Sequence, residues 1–327
     1  MKKISLIFAL ILVIFAQTGC DRGSTSGIKT ENYSTGKAGE LLIVMDKELF
    51  GDTMVSNINK TFTQPQPSIN QTEPMFDLLK LKNTDFNSYF QKHRNIVHFD
   101  INSSYGVNKM EIERNVWSSP QVYVHFKCNS VDSCIQLFFQ NQSEIIDILY
   151  ENDLARLQSF YLKDHNAAIE KKIKEKFGYT VSVPQNYSIA REEADFIWLL
   201  FRTTKNDRCI MIYKTTPTQL TQDNLIQLRD QITKKYIPGA VTGAYPIIDQ
   251  NPKYLNFKEL NIGSKIGAEL RGLWISKNDI MGGPFCTYVF NEPTGKNCIV
   301  VDGFVHAPHE NKRDYIREVE AIIKTIR

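Results

Sequence analysis

Between residues 131 and 177 the apolar side chains fall three and four apart: Ile135, Phe138, Phe139, Ile145, Ile146, Leu149, Leu154, Leu157, Phe160 and Tyr161, then Ile169, Ile173 and Phe177. On both sides of this block the text is made of short β-branched and aromatic runs separated by turn residues. A 3.6-residue period and a two-residue period cannot share one element, so the block must be helical and must lie between two strand-rich halves. Consecutive strands punctuated by occasional helices predict an α+β chain of largely antiparallel sheets with packed helices, rather than a regular βαβ alternation. Gly178 closes the block as a helix C-cap and divides the body into an N-terminal α+β half, 38–178, and a C-terminal α+β half, 179–327.

Within the first half, strands are expected at 40–45, 75–82, 95–101, 110–117 and 121–127, the last two forming a hairpin around Ser118, Ser119 and Pro120. Asp52 is placed to cap a helix carrying Val55, Ile58 and Phe62, and a short helix is expected at 85–92. In the second half, strands are expected at 179–183, 187–190, 196–203, 209–215, 257–262, 268–276, 285–290 and 298–306. Thr221 caps a helix with Leu225, Leu228, Ile232 and Tyr236, and a final helix at 312–326 carries Ile316, Val319, Ile322, Ile323 and Ile326 on one face.

The amino terminus reads differently. Lys2 and Lys3 precede an apolar run at 4–16, which as a helix rises only ~20 Å, short of a hydrocarbon core of ~30 Å. Such a run is an export signal and not a membrane span. It ends in Gln17, Thr18, Gly19 and Cys20, which resembles the lipobox of bacterial lipoproteins, although Gln17 stands where that motif usually has Leu. The resemblance implies removal of a signal peptide, 1–19, and lipidation of Cys20. Two or three acyl chains, each adding ~0.8 kcal/mol per buried methylene, would then hold the protein on a membrane. Residues 20–37 comprise that cysteine and a Ser/Thr/Gly-rich flexible tether with one aliphatic side chain, Ile28. Because no acidic run follows Cys20, the periplasmic side of the outer membrane is expected over the cell surface.

Hydrophobic residues at 42% and charged residues at 23% exclude a disordered or polytopic chain. The formal net charge of +3, two units of which lie on Lys2 and Lys3, provides no broad basic face for nucleic acid. Beyond Cys20, five cysteines remain (Cys128, Cys134, Cys209, Cys286 and Cys298), so at least one stays free of intramolecular pairing. Paired CxxC spacing is absent and no metal site or cofactor is expected.

Several residues could carry recognition. Arg271 and Trp274 sit in an expected strand that leads to Asp279, Met281, Gly282, Gly283, Pro284 and Phe285. The two glycines permit φ > 0 and close backbone approach. An exposed Arg271–Trp274–Asp279 surface would combine a donor fork with an aromatic anchor, whereas a tight turn would bury Trp274 in the core. His93 and Arg94 lie where a helix hands over to a strand. Arg94 could bind a carboxylate or phosphate there, or could satisfy helix carbonyls. His306 and His309 with Glu310 raise a metal site, but Pro308 prevents a helix from facing both rings one way, leaving loop imidazoles. GxSxG, Walker A, SxxK and GxGxxG patterns are absent.

Arg-Gly-Leu-Trp at 271–274 and Met-Gly-Gly-Pro-Phe at 281–285 resemble the Bacteroidota lipoprotein family called domain of unknown function 4837. So do His93-Arg94-Asn95-Ile96, Arg229-Asp230, the segment 235–239 and the stretch 307–313. The likeness spans nearly the whole mature chain and implies no activity, cofactor or catalytic residue. It departs from the family at 245–249, where a Tyr-Met-Thr-Glu-like stretch is expected and Tyr245, Pro246, Ile247, Ile248 and Asp249 stand instead. The element order of the second half is similar to the PsbP-like sandwich, a class that mostly serves binding and assembly. The expected function is a non-catalytic, membrane-anchored module that binds an envelope protein or small ligand. The alternatives are a solute-binding lipoprotein with an apolar cleft between the halves, and an envelope hydrolase gathering Arg271, Asp279 and His93 in a deep pocket.

Overall fold

A computed structural model describes residues 32–262 and 265–327. The leader, Cys20 and the first part of the tether therefore lie outside the described residues. Strand β1 (Glu40–Val44), helix α1 (Lys47–Phe62) and strands β2 (Asp77–Leu81), β3 (Asn95–Ile101), β4 (Lys109–Arg114) and β5 (Val122–Cys128) build a first sheet in the order β2-β1-β3-β5-β4. The expected hairpin joins β4 and β5. The rest of this sheet differs from the antiparallel expectation, since β1 runs parallel to both β2 and β3, and β3 runs parallel to β5. The reason is burial. Leu41 to Val44 are all buried, Leu41 and Ile43 against the helices and Leu42 and Val44 under an aromatic layer, as befits a strand covered on both faces. Helix α1 starts before Asp52, after Asp46, and is kinked at Gly51, whose φ is 71°. The helix expected at 85–92 is two single 3-10 turns.

Helix α2 (Val131–Lys163) is a single 33-residue element of about 50 Å, capped by the Ser130 side chain, which accepts from Ser133 N. Its first half buries Cys134, Phe138, Ile145 and Leu149 on the first sheet, while Leu154 and Tyr161 enter the core of the second. Helix α3 (Ala167–Phe177) ends at Gly178 in the left-handed conformation and sends Ile169, Ile173 and Phe177 into that same second core.

Strands β6 (Ser188–Glu193), β7 (Phe196–Arg202) and β8 (Asp207–Thr215) are followed by helix α4 (Gln222–Tyr236), capped by Thr221 as expected. Then come β9 (Tyr245–Asp249), β10 (Asn256–Ile262), β11 (Lys265–Lys277), β12 (Gly282–Asn291), β13 (Cys298–His306) and helix α5 (Arg313–Ile323). They form an antiparallel sheet ordered β10-β11-β12-β13-β8-β7-β6, with β9 paired to β11 beyond the end of β10. The expected strand at 179–183 is irregular. Thr180 exchanges backbone hydrogen bonds with Arg327, and Ser182 N donates to Thr325 Oγ1.

Strand alternation separates two cores. On β12 and β13, Phe285, Val289, Val300 and Phe304 face α4, whereas Cys286, Tyr288, Val301 and Val305 face α5. At Gly303 an added Cβ would overlap Val319, so α5 crosses the sheet closest there. The overall class is α+β, with antiparallel pairing confined to one hairpin in the first sheet and complete in the second.

Candidate functional site

Arg271 and Trp274 are three apart on β11, and a strand sends such residues to opposite faces. Arg271 points toward α5 and is buried. Its Nε donates to Glu269 Oε1 at 2.6 Å, and its Nη2 donates to Glu320 Oε1 at 2.6 Å and Glu269 Oε2 at 2.9 Å. Tyr150 from α2 donates its hydroxyl to Glu320, and Tyr288 donates its own to Glu269. Burial alone would raise the Glu320 carboxyl, but Arg271 and Lys324 outweigh it, together with the Arg271 and Tyr150 hydrogen bonds, and hold it down to about 2. The expected exposed Arg271–Asp279 pair is therefore not formed. Arg271 is a paired charge at the junction of α2, α5 and the second sheet.

Trp274 is buried on the α4 face, its Nε1 donating to Val305 O at 3.1 Å. Gly282 and Gly283 do not adopt positive φ; that conformation falls on Asn278. The glycines are required by space instead, because a Cβ at Gly283 would sit on the Val305 carbonyl oxygen and one at Gly282 would press the Trp274 carbonyl. Asp279 organises the turn by accepting from Ile280 N at 2.7 Å. Ile280, at its tip, is fully exposed at 102%, and Ile275 is 43% exposed.

This turn borders an open groove of about 750 Å³ lined by Trp274, Ile275, Ile280, Met281, Gly282 and Gly283 on one side and His306, Pro308, His309 and Lys312 on the other. The 273–283 and 306–312 segments thus meet in one cavity, together with Asn70, Gln71, Asp249 and Tyr254. Burial lowers the His306 imidazole and the Lys312 ammonium from their ordinary values. Lys312 Nζ is held by Gln71 Oε1 at 2.6 Å and Glu310 O at 3.0 Å. The start of α5 is capped neither by His309 nor by Asn311: the Glu73 carboxylate accepts from Lys312 N and Arg313 N at 2.8 Å.

His93 and Arg94 belong to a different place. His93 is buried with Nδ1 2.9 Å from Asn95 O, and burial lowers its imidazole. Arg94 pairs with Asp153 of α2, Nη2 to Oδ1 at 2.9 Å, so it binds a carboxylate of this chain and not helix carbonyls. Asp153 also accepts from Gly39 N, Asn95 Nδ2 and Arg317 of α5. Arg271, Asp279 and His93, the trio required by a hydrolase reading, do not converge. All five cysteines from Cys128 to Cys298 are buried free thiols.

Among the described residues, ligating atoms gather not at His306 and His309 but at Glu111, Glu113 and His125, within 4.8 Å of one another. The β4–β5 register sets Glu111 directly opposite His125, with Glu113 two residues along. Lys109 and Lys127 each hold Glu111 at 2.6 Å and keep its carboxyl down to about 2, so a cation there would have to displace two ammonium groups. Glu-x-Glu alternation is readable in the sequence; the register that brings His125 opposite is not.

Residues 166–325 match the family described as Domain of unknown function (DUF4837), and residues 34–161 match Domain of unknown function (DUF8532). The segments at 271–274 and 281–285 lie in the first of these, and His93 and Arg94 lie in the second. The likeness expected over nearly the whole chain is thus divided between two families. No curated protein sequence matches the chain. Among solved structures, a mutant of the protein Mog1 is similar at 8% identity and a TM-score of 0.28, over 46% of this chain and 89% of that one. The Ran-binding protein Mog1p of Saccharomyces cerevisiae is similar at 7% identity and 0.30, over 46% and 91%. A protein of Bacteroides thetaiotaomicron is similar at 10% identity and 0.24, over 46% and 44%. From residue 166 to residue 325, then, the chain matches the DUF4837 family model.

Proposed function

We propose that this protein is a non-catalytic binding module, held by a lipid on Cys20 at the periplasmic face of the outer membrane, that engages an envelope protein through the groove beside Ile280. The observation that carries the reading is Ile280 itself. A β-branched apolar side chain stands fully in solvent at the tip of a turn fixed by Asp279 and by Asn278 in the left-handed conformation. Exposed apolar side chains fringing a groove are what a protein partner covers. Among the described residues no helix is long and apolar enough to cross a membrane; the anchor in this reading is the lipid on Cys20.

The test is a photo-crosslinker placed at position 280 in cells, with one at Lys171, an exposed position on α3, as control. A discrete adduct is expected from position 280 and not from 171. Cys20→Ala should move the protein out of the membrane fraction with its thermal unfolding unchanged. Adducts of equal yield at both positions would refute the groove, and retention of Cys20→Ala on membranes at high salt would refute the anchor.

A further inference from the structure

A second cavity, of about 380 Å³, opens between the end of α2, the loop at 184–187, strands β7 and β8, and α5. It shares no lining residue with the groove beside Ile280. Its mouth carries Phe160, 59% exposed, and its wall carries Phe201 and the Arg208–Glu318 pair. The Arg208 guanidinium is stacked 4.6 Å from the Phe201 ring and 4.8 Å from the Tyr315 ring, and its Nε donates to Asn206 Oδ1 at 3.1 Å. The arginine is therefore fixed in place.

Tyr187 also lines the cavity. It is only 4% exposed, its ring lies 5.8 Å from that of Phe201, and its buried hydroxyl has no hydrogen-bond partner among the described residues. A buried hydroxyl left unpaired costs the fold free energy, so its retention calls for a reason. Burial raises the Tyr187 phenol well above its ordinary range, and raises the Glu318 carboxyl despite Arg208. The wall thus offers a phenol that stays protonated, a guanidinium paired with the Glu318 carboxylate, and a second carboxylate, Asp164.

We infer that this cavity binds a neutral saccharide ring. Aromatic faces at the mouth suit the C–H faces of a pyranose. Each sugar hydroxyl both donates and accepts, so one ring can satisfy Tyr187, Arg208 and Glu318 together, which neither an apolar solute nor a simple ion can do. An ionic ligand would meet a guanidinium already neutralised by Glu318. The volume lies within the range of small-molecule sites, about 300–1,000 Å³.

The inference does not depend on the groove reading, and its test separates the two. The full mature chain is titrated calorimetrically with glucose, galactose, mannose, N-acetylglucosamine and their β-linked disaccharides. At least one should bind saturably, with a Kd of about 1 mM or tighter. Phe160→Ala, at an exposed position, should weaken it about tenfold. Tyr187→Phe should also weaken it about tenfold while leaving the thermal midpoint unchanged or higher, because the unpaired hydroxyl is gone. Three results would each overturn the inference: no saturable heat from any saccharide, binding unaffected by both substitutions, or a midpoint lowered by Tyr187→Phe.

Discussion

The middle of strand β11 and the turn that follows the strand invert the usual placement of side chains. At Arg271 a permanent charge is hidden and paired with Glu269 and Glu320; nine residues on, at the tip of the turn, Ile280 is fully exposed. A buried charge is tolerated only where partners come with it, so Arg271 reports on assembly of the fold. An exposed isoleucine contributes almost nothing to the fold, so Ile280 reports on what lies outside it. The residue type enriched at binding surfaces is here the structural one, and the residue type enriched in cores is the candidate contact.

The sharpest way to break this comparison is Arg271→Ala. It would leave two buried carboxylates, Glu269 and Glu320, with only the longer Lys258 (3.4 Å) and Lys324 (3.6 Å) pairs, and we expect a loss of about 3–5 kcal/mol in chemical denaturation. A loss below about 1 kcal/mol would return Arg271 to the list of recognition residues.

A smaller effect should follow from pH. The Glu320 carboxyl is depressed from the usual 4.5 to about 2 in the fold. Its stabilising contribution is fully present above pH ~4.5 and is lost as pH falls toward ~2, because the unfolded chain takes up the proton first. Urea midpoints measured down through that window should fall, and should fall less steeply in Glu320→Gln. An equally steep decline in that variant would assign the acid sensitivity to other groups.

The smallest expected change in stability belongs to Ile280→Ser, within about 0.5 kcal/mol by denaturation. The same substitution should abolish the position-specific adduct formed by a crosslinker at Ile275, the neighbouring groove residue. If stability drops instead, the turn is part of the sheet's support and the contrast with Arg271 disappears.

What was legible in the sequence follows the range of the forces involved. Strand β13 was anticipated from Cys298 to His306, and α4 with its Thr221 cap, because periodicity and capping are local. The parallel pairings of the first sheet were missed even though their signal was present. Leu-Leu-Ile-Val in β1 does not alternate, which is the mark of a strand covered on both faces. The surroundings of Arg271 were only partly readable. Glu269 lies two residues away on the same face, but Glu320 is 49 residues along the chain and Tyr150 is 121 residues before it. Burial of Trp274 was open to the sequence through the Gly282–Gly283 turn, but its partner, a carbonyl on β13 reached only through β12, was not. Nothing near Tyr187 in the sequence announces that its hydroxyl lacks a partner.

Helix α5 also sets a timetable. Its Arg317 donates to Gln66, 251 residues earlier, and to Met75 O, while Arg313 reaches Pro74 O and Asp77. The segment that leads into β2 is thus tied down by residues synthesised long after it. A chain emerging from its amino end must carry this segment unsecured until α5 is complete, and contacts of such sequence separation are slow to close. Refolding should accordingly show the first sheet acquiring its last protection from hydrogen exchange together with α5, not ahead of it.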